Sequence, residues 1–342
     1  MKEMKYEDIS IVVPTLNSRH LIEPIAEQMR ESFSHVGEVV VVDSFSEDGT
    51  MELLQSILDF DAACFFSRPR GLYDSWNFGI EKCSKKWIYI ATAGDIIDLE
   101  DLDYLYSTAE SHDVDVVTSL PQFFNEDGEQ LPDLKWPIAS LLQRFEGLDE
   151  IHFSGLDLIS FALTHCRPGK YNGWMGSSAS NIYRTQTLKN LPFRTDVGPI
   201  GDSLWGLQNS PVIRACFCRR RCGRFVVHDR DSAFLPNDRI GAIFGYTWVN
   251  LAKRILKQQI PEENEFTHFL STTFDRELEA GELTRKLRLR IRRLLSRLAY
   301  YMDYIHEGRV RIPRMFWRVL LPSLKRGKVT LESQPLPEKD TL

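Results

Sequence analysis

The sequence predicts an α/β protein: a doubly wound, mostly parallel sheet followed by a helical, basic C-terminal region. Three observations carry this. Short, almost wholly apolar runs recur through the first hundred residues with helical spacing between them, the alternation of a parallel sheet buried on both faces. Polar clusters at 14–17, 43–44 and 93–95 follow three of those runs, and ligands of such sheets bind beyond the carboxyl ends of the strands. From about 237 the pattern turns helical, and 284–328 holds 14 Lys or Arg against two acids. The expected boundaries are 1–236 for the α/β body, 237–331 for the helical region and 332–342 for a polar, disordered tail.

Residues 9–14 form a β-branched apolar strand ended by Pro14. Residues 20–33 then have helical spacing, with Leu21, Ile22, Ile25, Ala26 and Met29 on one side. Four consecutive valines mark a second buried strand at 38–43. A helix over 51–58, a short strand over 63–66, a helix over 76–82 and a fourth strand over 87–91 complete the alternation. Further strands are expected at 114–119 and 216–227, with a helical stretch near 154–165 between them. Beyond 237 the candidate helices are 242–256, 266–278 and 283–305.

Composition narrows the class. With 342 residues, 43% hydrophobic and 26% charged, the chain is long enough for a buried core and is not disordered, collagenous or disulfide-stapled. Six cysteines in this length read as reduced thiols. Cys216, Cys218 and Cys222 alternate as a strand does and lack a second Cys-x-x-Cys pair, which favours core or surface thiols over zinc. No apolar run approaches the ~20 residues that span a bilayer, and charges occupy 1–8 where a signal peptide needs apolar residues, so a cytoplasmic protein is expected.

Charge is uneven. The net charge is −6, but 284–328 carries +12, which leaves −18 on the rest. In that segment Leu287, Leu289, Ile291, Leu294 and Leu298 interleave with arginines, a basic amphipathic helix. Such a helix suits an anionic membrane surface, here the inner face of the membrane; a bundle helix packed on the body with its charges solvated is the open alternative.

Four runs in order, 11–17 (IVVPTLN), 41–50 (VVDSFSEDGT), 70–80 (RGLYDSWNFGI) and 92–95 (TAGD), resemble the family 2 glycosyltransferases of the GT-A fold. The resemblance covers residues 8–120 well and thins out toward 232. It implies an enzyme that moves a sugar from a nucleotide-sugar donor, with a UDP-sugar expected, to a hydroxyl of a glycan or lipid-linked glycan, inverting the anomeric centre by direct displacement. It also divides the body into a donor half, about 1–120, and an acceptor and base half, about 121–236.

The resemblance assigns roles to individual residues. Thr15 and Asn17 stand where the family touches base and ribose, with a polar turn equally open for Asn17. Asp43 is the expected nucleotide contact, followed by Ser44 where relatives often have a second Asp; a turn or a cap for the helix near Thr50 is its alternative. Arg70 and Asn77 flank the segment that closes over the diphosphate, and an arginine fork suits phosphate oxygens. Arg68 is also in reach, and the sequence does not choose between the two arginines.

Gly94 and Asp95 close the family's Asp-x-Asp element, whose first position here is Ala93. Asp95 is therefore the motif's one carboxylate for a divalent metal, Mn²⁺ or Mg²⁺, unless it merely caps the helix beginning near Asp98. His228 stands where similar enzymes return a basic residue to the diphosphate or metal, with a structural histidine equally open. An inverting displacement needs a proton acceptor opposite the leaving group, and Asp202, within 198–205 (GPIGDSLW), is the expected base. Asp196 is its fallback and helix capping its alternative. Trp174 and Ser177 are the expected acceptor contacts, with core packing of Trp174 open.

Two other functions compete. A nucleotidyltransferase would share the α/β scaffold but needs a Gly-rich basic phosphate loop where this chain has 15–18 (TLNS). A nucleic-acid-binding protein would use the arginine helix, but the −18 body opposes it and no nucleic-acid partner is expected.

Overall fold

The computed structural model describes residues 6–227, except 93, 135, 146, 155–157 and 159–172, together with Thr247. Ala93, His228, nearly all of the 154–165 stretch, the basic segment 284–328 and the 332–342 tail lie outside the described residues, as do the candidate helices beyond 237 apart from Thr247.

The valine-rich runs form the centre of the molecule. β1 (Tyr6–Thr15), β2 (Val36–Asp43), β3 (Ala63–Ser67) and β4 (Trp87–Ile90) pair in parallel in the order β3-β2-β1-β4. Val39 to Val42 and Ile88 to Ile90 are almost wholly buried, as strands covered on both faces must be. β5 (Val116–Ser119), β7 (Glu150–Ser154), β8 (Asn181–Arg184) and β9 (Arg214–Cys218) extend the sheet to eight strands, β3-β2-β1-β4-β8-β5-β9-β7. β8 runs antiparallel between β4 and β5, and β7 antiparallel on the edge beside β9. The sheet is thus mixed but mostly parallel, as predicted.

Two expected elements are divided. The helix predicted over 20–33 is α1 (Arg19–Ile22), a 3₁₀ turn (Glu23–Ile25) and α2 (Ala26–Phe33), because Pro24 has no N–H for a continuous helix. The strand predicted over 216–227 is β9 and then β10 (Arg224–Val226), which pairs with β6 (Gln122–Phe124) in a separate two-stranded sheet. Gly223 makes the break, with φ +74° and so little room that a Cβ would stand 1.9 Å from the Ala179 carbonyl oxygen.

α3 (Thr50–Ile57) follows β2, and α4 (Leu72–Lys82) packs on β1 and β2 through Gly79, where a Cβ would lie 2.5 Å from Val12 Cγ1. The remaining helices are α5 (Leu99–Ser111), α6 (Pro137–Arg144), α7 (Thr185–Asn190) and α8 (Gly201–Asn209). No helix among the described residues is long and apolar enough to cross a membrane, and Cys64, Cys83, Cys216, Cys218 and Cys222 are free thiols.

Candidate active site

The carboxyl ends of β1 and β2 form one corner of the crevice, with Thr15 and Asp43 opposite each other in register. Asp43 is buried, and its carboxylate accepts hydrogen bonds from Ser46 N (2.8 Å) and Ser46 Oγ (2.5 Å). It does not cap α3, because Asp48 accepts the Thr50 N–H. Asn17 takes φ +48°, receives Glu47 N on its Oδ1 at 2.9 Å and donates its own N–H to Ser46 Oγ at 2.8 Å, so it braces the β1 loop against the β2 loop. Thr15 Oγ1 is buried without a hydrogen-bond partner among the described residues.

The arginines differ in setting. Arg70 is exposed, whereas Arg68 is half-buried and donates to Ser75 Oγ (3.1 Å) and to the Gly71 carbonyl (3.3 Å). Ser75 in turn meets Ser44 Oγ at 3.2 Å. The first turn of α4 is therefore tied to the end of β2. Asn77 points elsewhere: its Nδ2 donates to the Phe193 carbonyl (2.7 Å) and its Oδ1 accepts the Phe193 N–H (3.0 Å). Both amide groups of this expected donor contact clasp the chain at Phe193.

Gly94 and Asp95 follow β4. Gly94 has φ +87°, which only glycine adopts without strain. Asp95 is buried, accepts Val226 N on Oδ1 at 2.9 Å and receives the Thr92 hydroxyl on Oδ2. The cap of α5 is Asp98, which accepts Asp101 N at 2.8 Å, so the capping alternative for Asp95 does not hold. A hard cation that keeps its waters and binds substrate phosphates needs only one protein carboxylate, and here both oxygens of that carboxylate also accept hydrogen bonds from the chain.

Asp202 stands in the first turn of α8, where the N-terminal end of the helix dipole favours a carboxylate. Its Oδ1 accepts Ser203 N at 2.6 Å and Tyr73 Oη at 3.3 Å, and burial raises its pKa above the ordinary carboxylate value. Asp202 lines a small cleft with Ser177, Asn181, Tyr183 and Trp205. Ser177 therefore shares a cleft with the expected base, although its hydroxyl also accepts Ala179 N at 3.3 Å to start a 3₁₀ turn. Trp174 is the correction here: it is fully buried, and its Nε1 donates to the Ser203 carbonyl at 2.9 Å, so its faces pack in the core and meet no acceptor sugar. Asp196 is exposed and paired with Arg194.

Residues 10–168 match the family described as Glycosyl transferase family 2. That stretch is just under half of the 342-residue chain, so the likeness to the family is one of this segment. Glycosyltransferase GlyG of Streptococcus pneumoniae serotype 4 is 26% identical over 125 residues, 35% of this chain and 40% of its own. The lipopolysaccharide core biosynthesis glycosyltransferase LpsC of Rhizobium meliloti is 34% identical over 70 residues, 20% of this chain and 26% of its own. The chain thus spans less than half the length of either relative. Among solved structures, S. aureus TarS 1-349 in complex with UDP gives a TM-score of 0.50 at 17% identity, covering 73% of this chain and 72% of that one. The same protein in complex with UDP-GlcNAc gives 0.50 at 15%, covering 88% and 92%. At these identities the likeness is one of fold.

The structure adds residues that sequence reasoning missed. Tyr73 holds Asp202, and its motif position gave no hint of a partner 129 residues away. Asn181 lines the Asp202 cleft with Nδ2 bound to the Met175 carbonyl and Tyr183 Oη, while its buried Oδ1 has no partner among the described residues. Phe45 is 60% exposed at φ +59°, a costly conformation for a bulky side chain directly after the Asp43-Ser44 pair. Arg224 lies over the Phe124 ring at 4.1 Å, its pKa lowered by burial and held up by the charge of Asp95.

Proposed function

We propose that this chain transfers a sugar from a UDP-sugar donor to a hydroxyl of a glycan or lipid-linked glycan, with inversion. One observation carries the reading. Within a single turn of α4, Ser75 reaches Ser44 and Arg68 at the nucleotide corner while Tyr73 holds Asp202, so the helix joins donor corner and base. The glycosyltransferase names of GlyG and LpsC, and the UDP and UDP-GlcNAc complexes of TarS, support the donor class.

In this reading the nucleoside lies against Thr15, Asp43 and Ser44, with Phe45 beside it, and the diphosphate lies between the arginines at 68 and 70 and Asp95. Mn²⁺ or Mg²⁺ held on Asp95, with His228 as a further ligand by resemblance, would neutralise charge on the departing diphosphate. Asp202 accepts the acceptor hydroxyl's proton as that oxygen bonds to the anomeric carbon. The bond to the diphosphate breaks on the opposite face and its electron pair leaves with the nucleotide. The raised pKa makes Asp202 a stronger base than an exposed carboxylate. In this reading Asn181 Oδ1 and Ser177, which line the cleft beside Asp202, orient the acceptor.

The basic segment 284–328 is proposed to hold the enzyme on an anionic membrane surface, where each nearby Lys or Arg contributes about 1 kcal/mol. Calorimetric titration of the full chain with UDP, with and without Mn²⁺, tests the donor assignment. Binding strengthened by Mn²⁺ and weakened in Asp43→Ala and Asp95→Ala is expected; no UDP binding under either condition overturns it.

A further inference from the structure

A second cluster of ligand-type side chains lies far from the crevice. Glu150 and His152 stand two apart on β7 and share a face of the edge strand, and His112 follows the last turn of α5. His112 Nε2 lies 2.9 Å and His152 Nε2 3.5 Å from the same atom, Glu150 Oε2, and the three ligand atoms lie within 4.8 Å of one another. The other carboxylate oxygen, Oε1, receives the Thr108 hydroxyl at 3.3 Å, which turns Oε2 toward the imidazoles. The side chains are 38%, 28% and 43% exposed, so an ion can enter from solvent.

We propose that His112, Glu150 and His152 bind one Zn²⁺ that ties the edge strand β7 to the end of α5. Two imidazoles and one carboxylate make a borderline-soft ligand set with a position left for water, which suits zinc better than Mg²⁺ or Ca²⁺. The two rings have centroids 4.4 Å apart, so both can offer a nitrogen to one ion beside Glu150 Oε2. Cys216 Sγ stands 3.8 Å from His152 Nε2 and meets Cys218 Sγ at 3.9 Å.

The site is distinct from the donor metal position. β7 lies four strands from β4, the strand that precedes Asp95, roughly 19 Å at about 4.8 Å per strand. Glu150 pairs with Cys218 at the carboxyl end of β9 and His152 with Cys216 in its middle, on the outer edge of the sheet.

The test strips the full-length protein with EDTA and titrates it with Zn²⁺ by calorimetry, with Co²⁺ absorption as a second readout. One equivalent per chain is expected at this site. His112→Ala, His152→Ala and Glu150→Gln should each weaken zinc binding at least ~10-fold while UDP binding stays unchanged, and Asp95→Asn should leave zinc binding intact. The stripped wild type failing to take up zinc overturns the proposal, as does uptake unchanged in the histidine variants or lost only in Asp95→Asn.

Discussion

Tyr73 and Asp202 hold each other by two hydrogen bonds across 129 residues of chain: Asp202 N donates to Tyr73 Oη at 3.0 Å, and that hydroxyl donates to Asp202 Oδ1 at 3.3 Å. Burial raises the pKa of both groups, and the charge of Asp202 raises that of Tyr73 further, so the phenol stays protonated and serves as donor. The ring is fixed in turn by Trp76 at 4.9 Å and by stacking on Phe193 at 5.6 Å. The orientation of the proposed base is therefore set by a helix that begins at the donor corner.

Tyr73→Phe keeps the ring and removes the hydroxyl. A hydrogen bond to a charged group contributes about 1.5–3 kcal/mol, so a fall of about tenfold or more in kcat is expected, with UDP affinity retained. Steady-state kinetics checks this, and an unchanged kcat would show that Tyr73 does not position the base.

The pH dependence has a definite sign. A general base works deprotonated, and the Asp202 pKa lies above the ordinary value of about 3.9, so kcat/KM should fall as pH drops through that raised value. The Tyr73 hydrogen bond favours the carboxylate, so the acidic limb should move to higher pH in Tyr73→Phe. Rate profiles of the two proteins test both statements.

Gly201→Ala should destabilise the protein by about 1–3 kcal/mol, because the new Cβ would stand 2.4 Å from Tyr73 Cε2 in a packed aromatic cluster. Urea unfolding of the variant and wild type measures it.

Asn77→Ala separates clasp from ligand contact. Leaving the Phe193 N–H and carbonyl without their partner should cost about 1–3 kcal/mol of stability and leave the Kd for UDP unchanged. Lost UDP affinity with stability intact would return Asn77 to the donor site.

Deleting 284–342 should release the protein from anionic vesicles without changing UDP binding, and the attachment should weaken with salt, since exposed charges are screened beyond about 8 Å at physiological ionic strength. Vesicle sedimentation at two salt concentrations checks it. A full-length protein that never sediments leaves the bundle-helix reading.

Legibility in the sequence followed the range of the interactions. The strands β1, β2 and β4 were visible because burial on both faces demands unbroken apolar runs, and the polar residues after them could only lie at the crevice. The division at Gly223 was not, because the alternation of 216–227 continues through it and only the approach of the Ala179 carbonyl reveals the turn. Trp174 and Asn77 have compositions that suit a sugar site, and their partners, Ser203 and Phe193, lie 29 and 116 residues away. The hydrogen bond from Arg68 to Ser75 likewise depends on how α4 leaves its first turn. The short edge strand β7 carried no apolar run, so neither it nor its pairing with β9 was visible.

The most direct measurement is release of UDP from a panel of UDP-sugars, with water as the acceptor of the sugar, by the wild type, Asp95→Ala and Asp202→Asn, with Mn²⁺ present and donor at saturation. The account predicts release by the wild type, loss of donor affinity in Asp95→Ala, and in Asp202→Asn a turnover lower by about 10²–10⁴ with donor affinity preserved. No release from any donor, or wild-type turnover in Asp202→Asn, would contradict it.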